Sequence, residues 1–278
     1  MQANTVSKTA MGTAAIRAAH QLLDDKPLLL DDPAALPLLG PGAAELIHAS
    51  LRRHQGLSGK ALRSHIVLRS RFAEDKLREA VVGGVTHYIL VGAGFETFAL
   101  RQPDWAKKLT IIEVDHPATQ SAKRERIAKA GLSEPENLMF VPIDFEREGL
   151  GDVLARSGVR GDERVFFSWL GVTMYLRIPA IEATLHTMAT YAPGSEVTLT
   201  FRQPLNGAGL KLAALVAELG EPYVTFFTPE KIEAEMRSAG FSDVEFLTVE
   251  KARQLYFTPL RRDLPLPERI NILHASSR

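Results

Sequence analysis

An apolar run that ends in two glycines decides the fold of this chain: His87-Tyr88-Ile89-Leu90-Val91-Gly92-Ala93-Gly94-Phe95-Glu96-Thr97. About twenty residues later, a second apolar run ends in a carboxylate, at Ile111-Ile112-Glu113-Val114-Asp115. In an open parallel sheet, glycines after one strand let the backbone approach a ligand. An acid at the end of the next strand accepts hydrogen bonds from a ribose diol. Two glycines after one strand, followed by a carboxylate at the end of the next, predict a protein that binds a nucleoside cofactor.

Each feature behind this prediction has a simpler alternative. Gly92 and Gly94 could serve only a reversal of the chain, and Asp115 could be the N-cap of the helix that follows it. Asp144-Phe145 ends a third apolar run, where a carboxylate and the next backbone amide could bind a nucleobase, although Asp144 could be an ordinary turn residue. Because all three features fall at the carboxyl edge of one predicted sheet, binding is the favoured interpretation.

The third glycine of a dinucleotide-binding fingerprint is absent, since Thr97 stands in its place. That glycine permits close helix–strand packing beneath a pyrophosphate. Its absence disfavours nicotinamide and flavin cofactors and leaves room for a nucleoside without phosphates. Two alternatives stay open: a nicotinamide-dependent oxidoreductase on a Rossmann-like sheet, and a non-catalytic protein that keeps the fold.

Hydrophobic periodicity divides the chain near residue 85. Before that point the pattern predicts helices at 8–23 and 60–82, with Ser7 as the first N-cap and another helix start at Asp32-Pro33. After it, strands alternate with helices, which is typical of an α/β fold with a doubly wound, mostly parallel sheet. The predicted strands are 87–91, 109–114, 137–143, 164–169 and 196–201, with an antiparallel edge pair at 244–249 and 270–274. We expect an N-terminal helical cap and substrate lid in residues 1–84 and a cofactor-binding domain in residues 85–278.

Composition narrows the functional class. With 278 residues, the chain can bury a large core without a metal or a crosslink, and the absence of cysteine excludes disulfides, thiolate catalysis and thiolate metal sites. The formal net charge of zero gives no support to general binding of nucleic acid or anionic membrane. Residues 1–10 contain no apolar secretory segment, and the longest uncharged apolar run, 166–176, is too short to cross a bilayer. We therefore expect a cytoplasmic protein.

Four segments, in order along the chain, carry a resemblance to a known family. They are Gly92-Ala93-Gly94-Phe95-Glu96-Thr97, Glu113-Val114-Asp115-His116-Pro117, Val141-Pro142-Ile143-Asp144-Phe145 and Trp169-Leu170-Gly171-Val172-Thr173-Met174-Tyr175-Leu176. Together they resemble class I S-adenosylmethionine-dependent methyltransferases of the leucine carboxyl methyltransferase type, in particular bacterial O-methyltransferases linked with polyketide biosynthesis. Ser7-Lys8-Thr9-Ala10 and Leu68-Arg69-Ser70-Arg71-Phe72 also match that pattern.

The resemblance implies a Rossmann-like methyltransferase fold of seven strands, with S-adenosyl-L-methionine as cofactor and S-adenosyl-L-homocysteine as product. It implies that Arg69, assisted by Lys8, pairs with the methionine carboxylate of the cofactor, which a planar guanidinium suits well. The remaining implied contacts are Gly92 and Gly94 against the cofactor, Asp115 on the ribose, and Asp144 with Phe145 on the adenine.

One position departs from the family pattern. Protein-modifying members carry a glutamate at the end of the fourth strand, where this chain has Leu170, which offers backbone contacts but no carboxylate. The departure argues against methylation of a protein C-terminus and toward a carboxylate or hydroxyl of a small molecule. Tyr175 and Arg202 are the candidates for contact with that acceptor, although Arg202 could be a solvated arginine at a strand end. No general base is singled out by the sequence.

Overall fold

The computed structural model describes residues 5–145, 147–205, 207–259 and 263–278. Its seven strands are β1 His87–Val91, β2 Thr110–Asp115, β3 Leu138–Pro142, β4 Val165–Trp169, β5 Glu196–Thr200, β6 Phe241–Phe246 and β7 Ile272–Ser277. They form one sheet in the order β3-β2-β1-β4-β5-β7-β6. Strands β1 to β5 pair in parallel, whereas β7 is antiparallel to both β5 and β6. The prediction of a doubly wound, mostly parallel sheet is confirmed.

Helices cover both faces of the sheet. They are α1 Lys8–Leu23, α2 Ala35–Leu39, α3 Ala43–Ala49, α4 Leu51–Gln55, α5 Leu57–Val82, α6 Pro117–Lys129, α7 Leu150–Arg156, α8 Ile178–Ala189, α9 Ala208–Glu218, α10 Pro229–Ala239 and α11 Val249–Ala252. Short 3₁₀ turns occupy Phe98–Arg101, Asp104–Ala106 and Thr173–Tyr175, and one π-helical turn occupies Arg253–Phe257. Among the described residues, none of the helices combines the length and the apolar composition that crossing a membrane requires.

The central strands are buried on both faces, which explains why they are almost continuously apolar. The predicted antiparallel edge pair is confirmed, because β6 and β7 pair antiparallel at one end of the sheet, although β6 begins three residues earlier than predicted and β7 ends three residues later. Strand β7 lies between β5 and β6, where His274 pairs with Thr198 on one side and with Glu245 on the other, and β6 forms the edge.

The first five helices precede the sheet in the chain, and α5, the longest of them, packs against it. Leu77 and Ala80 of α5 belong to the same apolar cluster as Tyr88 and Leu90 of β1. Helix α1 begins at Ser7, whose hydroxyl accepts from the Ala10 amide as predicted for the N-cap. The division into a cap over residues 1–84 and a domain over residues 85–278 remains a prediction.

The predicted helix start at Asp32 is wrong. Helix α2 begins at Ala35, and the Asp32 carboxylate is buried, where it accepts from Thr97 Oγ1 at 2.6 Å. It also lies 3.3 Å from Arg17 Nε and 3.4 Å from Arg101 Nε. Two buried guanidinium groups hold this carboxylate more strongly than the exposed amides of a short helix would.

Candidate cofactor and acceptor site

A cavity of about 390 Å³ lies at the carboxyl ends of the central strands. All the site residues predicted from the sequence line it: Lys8, Arg69, Gly92, Gly94, Asp115, Asp144, Phe145, Leu170, Tyr175 and Arg202. The order of strands reverses between β1 and β4. A crevice opens at such a point, which explains why residues far apart in sequence meet there.

The glycine loop after β1 turns through left-handed backbone conformations. Gly92 has φ +71°, and Gly94 has φ +52°. A β-carbon at Gly92 would collide with Val172 of the loop after β4, and one at Gly94 would lie 3.1 Å from the β-carbon of Ala10 in α1. The glycines therefore serve a chain reversal and also let two walls of the cavity approach each other.

Asp115 is fixed in orientation by two backbone amides. Its Oδ2 accepts from the Gly94 amide, and its Oδ1 accepts from the His116 amide at 2.6 Å. Each oxygen retains a further acceptor position. Burial raises the pKa of Asp115, although the two amide hydrogen bonds oppose that shift. The alternative in which Asp115 caps the next helix is wrong, because the cap of α6 is His116, whose Nδ1 accepts from the Ala118 amide.

Arg69 projects from α5 toward the loop after β4. A β-carbon placed on Gly171 would stand 2.7 Å from Arg69 Nη1, so the guanidinium lies against this backbone. Burial, together with the nearby guanidinium of Arg17, lowers the pKa of Arg69 to about 10, which still leaves it cationic at neutral pH. Within the described part of the chain, no ion pair joins Arg69 to a carboxylate. It is a half-buried cation available to a ligand anion.

The other predicted cofactor residues lie around the same cavity. The Asp144 carboxylate is 3.4 Å from Arg147 Nε, and the half-buried Phe145 ring packs against the main apolar core. Leu170 follows the last residue of β4. Lys8 is an exposed residue at the cavity wall, and its backbone amide donates to Glu221 Oε1 at 2.7 Å.

Sequence reasoning missed three carboxylates of the cavity, those of Glu74, Glu96 and Glu221. Although burial would raise the pKa of Glu96, the guanidinium groups of Arg17 and Arg101 hold that pKa at about 2. Glu96 therefore stays anionic beside a cavity that also contains Arg69. Its place directly after the glycine loop was the available signal, but the charges that keep it ionised come from distant segments.

At another part of the cavity wall, two tyrosines lie near an arginine. The Arg202 guanidinium is 4.6 Å from the centroid of the Tyr223 ring, and that ring is 5.4 Å from the ring of Tyr175. Arg202 Nε is buried without a hydrogen-bond partner, so the alternative of a solvated arginine is wrong.

Burial, with the nearby guanidinium groups of Arg69 and Arg202, lowers the pKa of His65 to about 3. His65 is thus a neutral imidazole facing the cavity.

Comparisons with known proteins agree with this geometry. The sequence profile of the family described as leucine carboxyl methyltransferase matches residues 10–189. A protein of Bacillus subtilis (strain 168), named "Putative S-adenosyl-L-methionine-dependent methyltransferase YktD", is 28% identical, and the match covers 99% of each chain.

Two solved structures share the fold. A DUF574 family protein from Streptomyces avermitilis MA-4680 has a TM-score of 0.58 at 14% identity, over 95% of this chain and 96% of the other. A protein from Thermobifida fusca YX described as a "putative methyltransferase" has a TM-score of 0.55 at 18% identity, over 87% of this chain and 91% of the other. The Rossmann-like methyltransferase fold is therefore confirmed, and the family match decides against the nicotinamide alternative. The chain belongs to the leucine carboxyl methyltransferase family and is an S-adenosylmethionine-dependent methyltransferase.

Proposed function

We propose that this methyltransferase acts on an oxygen atom of a small molecule, either a carboxylate or a hydroxyl. The observation that carries the proposal is the charge beside Tyr175 and Tyr223, where Arg202 is a cation without a carboxylate partner among the described residues. A protonated amine would be repelled there, whereas an oxygen that bears negative charge would be attracted. The partner that we propose is therefore a small molecule with an oxygen that accepts the methyl group. We further propose that the protein acts in the cytoplasm and binds neither nucleic acid nor membrane.

The residues of the cavity fit S-adenosylmethionine. Arg69 supplies an unpaired guanidinium for its carboxylate, with Lys8 nearby on the cavity wall. The two acceptor positions that Asp115 retains suit a ribose diol. The remaining contacts in the proposal are Asp144 with Phe145 for the adenine, and the backbone of Gly92, Gly94 and Leu170 along the cofactor.

The cofactor supplies an activated methyl group, so the chain must position the acceptor and exclude water. Orientation of that kind contributes on the order of 7–11 kcal/mol to catalysis. A carboxylate acceptor reacts without losing a proton, whereas an alcohol needs a base. With a pKa held at about 3, His65 is a weak base, which favours an acceptor that is already anionic.

Compounds that share one carbon chain but differ in their functional group test whether oxygen, nitrogen or sulfur receives the methyl group. Octanoate, octanol, octylamine and octanethiol are each incubated with the enzyme and methyl-tritiated S-adenosylmethionine, and the products are separated by chromatography. We expect the label in the methyl ester or the methyl ether. Label found only in the amine or thiol product would refute methylation of oxygen.

A second experiment tests the cofactor assignment. Arg69→Leu should weaken S-adenosylhomocysteine far more than 5′-deoxyadenosine, which lacks the carboxylate that Arg69 would bind. Arg71→Leu is the matched control, since Arg71 lies on the same helix with a 45% exposed side chain paired to Asp75. Equal losses for both ligands in Arg69→Leu would overturn the assignment.

A further inference from the structure

An ion-pair network at the end of the glycine loop contains more carboxylates than guanidinium groups. Arg17 lies 3.3 Å from Asp32 and 3.3 Å from Glu96. Arg101 pairs with Glu74 and lies 3.4 Å from Asp32 and 3.9 Å from Glu96. In the part of the chain that the structure describes, no other cation comes within ion-pair distance of these three carboxylates. Two guanidinium groups cannot neutralise three carboxylates, so negative charge is left in excess.

Within this network, Glu96 keeps the capacity to bind a further donor. Glu74 is held by both terminal nitrogens of Arg101. By contrast, Glu96 Oε1 accepts from the Thr97 amide at 2.8 Å, and its Oε2 accepts from Arg17 Nη1 at 3.3 Å. The Glu96 side chain is 15% exposed and lines the cavity. Because a carboxylate oxygen has two acceptor positions, Oε2 can accept another hydrogen bond from a ligand in the cavity.

Arg69 faces the same cavity but does not pair with Glu96. Burial and the Arg17 guanidinium lower the pKa of Arg69, and the Glu96 carboxylate opposes them, so the two charges are near enough to interact. They are nevertheless not within ion-pair distance of each other. A cation and an anion that face one cavity without pairing suit a ligand that carries both charges.

The cofactor carries both charges at one end. The carboxylate and the ammonium of its methionine part are bonded to the same carbon atom, so the ammonium must lie beside the carboxylate that Arg69 binds. The guanidinium groups of Arg17 and Arg69 would repel an ammonium there unless a carboxylate were also close. Leu170, next to Gly171 in the loop that Arg69 contacts, supplies none. The acid has to come from another segment.

The other carboxylates at the cavity wall are engaged elsewhere. Glu221 accepts from the amides at the beginning of α1. Asp144 lies 3.4 Å from Arg147 Nε, and Asp115 accepts from two backbone amides.

We infer that Glu96 binds the α-ammonium of S-adenosylmethionine, so that Arg69 and Glu96 together recognise the zwitterionic end of the cofactor. The inference rests on the cofactor site in the proposed function and extends it by a residue; it is independent of the methyl acceptor. Arg17, which donates to Glu96 Oε2 and to the Phe95 carbonyl, is then a positioning residue that holds Glu96 at the end of the glycine loop.

Titration calorimetry with two analogues of S-adenosylhomocysteine tests the inference. The deamino analogue, 5′-S-(3-carboxypropyl)-5′-thioadenosine, lacks only the amino group, and the decarboxy analogue, 5′-S-(3-aminopropyl)-5′-thioadenosine, lacks only the carboxylate. We expect S-adenosylhomocysteine to bind about ten- to a hundredfold more tightly than the deamino analogue, the range of a charge-assisted hydrogen bond. Glu96→Gln should reduce that preference to below about threefold, because the neutral amide no longer attracts the ammonium.

Glu74→Gln is the matched control, since Glu74 belongs to the same network and lines the same cavity. It should leave the preference for the amino group unchanged. 5′-Methylthioadenosine, which lacks both charged groups, should bind all variants alike and so reports on the nucleoside site. Glu96→Asp keeps the charge on a shorter side chain, should show a reduced preference, and carries the test if the glutamine variant does not fold.

Three results would overturn the inference. The first is equal affinity for S-adenosylhomocysteine and the deamino analogue in the unmodified protein. The second is a preference that is undiminished in the Glu96 variants, which would assign the ammonium to backbone carbonyls. The third is an equal loss of affinity for both ligands in Glu96→Gln, which would make Glu96 a structural residue only.

The assignments of Arg69 and Glu96 fail separately. If Arg69→Leu leaves the preference for S-adenosylhomocysteine over the decarboxy analogue unchanged, the assignment of Arg69 is wrong even when Glu96 holds the ammonium. If that preference is lost in Arg69→Leu while Glu96→Gln has no selective effect, the assignment of Arg69 stands and that of Glu96 is wrong.

Discussion

The guanidinium of Arg69 lies so close to Gly171 that a β-carbon on Gly171 would stand 2.7 Å from Nη1. This relationship joins α5 to the loop after β4. Gly171 also has φ +77°, a conformation that disfavours other residues. Gly171 therefore determines where the guanidinium of Arg69 can lie.

Gly171→Ala should displace Arg69 and weaken S-adenosylhomocysteine at least about tenfold, since a charge-assisted hydrogen bond is lost. Affinity for 5′-deoxyadenosine should change much less. Gly131→Ala is the control, because Gly131 has φ +65° but open space around its α-carbon. Calorimetry that gives the same affinity for both variants would contradict the expected displacement.

Asp115→Asn should lower S-adenosylhomocysteine affinity at least about tenfold, because one charged acceptor of the ribose is replaced by a donor. The fold should persist, since asparagine keeps the size of the side chain. Asp152→Asn, at an exposed position of α7, serves as the control. Unchanged affinity in Asp115→Asn would show that the carboxylate only orders the glycine loop.

Glu221 holds the beginning of α1 beside the cavity. Its carboxylate accepts from the Lys8 amide at 2.7 Å, from the Thr9 amide at 3.3 Å and from Ser7 Oγ at 3.0 Å. Glu221→Gln should loosen this segment and raise the dissociation rate of S-adenosylhomocysteine several-fold, as measured by stopped-flow fluorescence. Glu218→Gln, exposed on α9, should leave that rate unchanged. A rate in Glu221→Gln that equals the control would show that this contact does not restrain the ligand.

Asp32→Asn should destabilise the fold by roughly 3–5 kcal/mol, because it removes the charge that faces the buried Arg17 and Arg101. Urea unfolding monitored by circular dichroism measures the change. The adjacent Asp31→Asn is the control, since Asp31 is exposed and its loss should cost less than about 0.5 kcal/mol. Similar losses in the two variants would mean that the buried network adds little to stability.

His65 should make the folded protein less stable as the pH falls. Its pKa is about 3 in the folded protein and 6.5 as the ordinary value, so the unfolded chain binds more protons between these limits. The free energy of unfolding should therefore fall as the pH drops below about 6.5, by up to about 1.4 kcal/mol per unit from this group.

His65→Gln should reduce that slope between pH 6 and 4, as measured by urea titrations at each pH. His186→Gln should leave the slope as it is, because His186 is exposed on α8. A slope that is the same in all three proteins would show that His65 is protonated as easily when folded as when unfolded.

Much of the fold follows from patterns within a few residues. The apolar run before Gly92 predicts β1, the run before Asp115 predicts β2, and both predictions agree with the observed strands to within about one residue, the scale on which strand limits vary between definitions. Strand β7 illustrates the limit of this reasoning. Its sequence predicts an antiparallel partner, but its place between β5 and β6 depends on contacts across the chain.

The arginines show the same limit for the candidate site. The sequence gives no sign of which arginines have a carboxylate partner. In the fold, Arg17 and Arg101 face carboxylates. Within the described residues, Arg69 and Arg202 do not. Likewise, Glu96 and His65 become informative only once their neighbours are known.

The sequence alone determined the strand-end motifs, the class of fold and which strand-end residues meet at the cavity, because local periodicity and the geometry of parallel sheets fix which strand ends share an edge. Only the tertiary structure decided which buried charges are neutralised and which are left for a ligand. The energy of a buried charge depends on partners within a few ångströms, and those partners come from segments far apart in the chain.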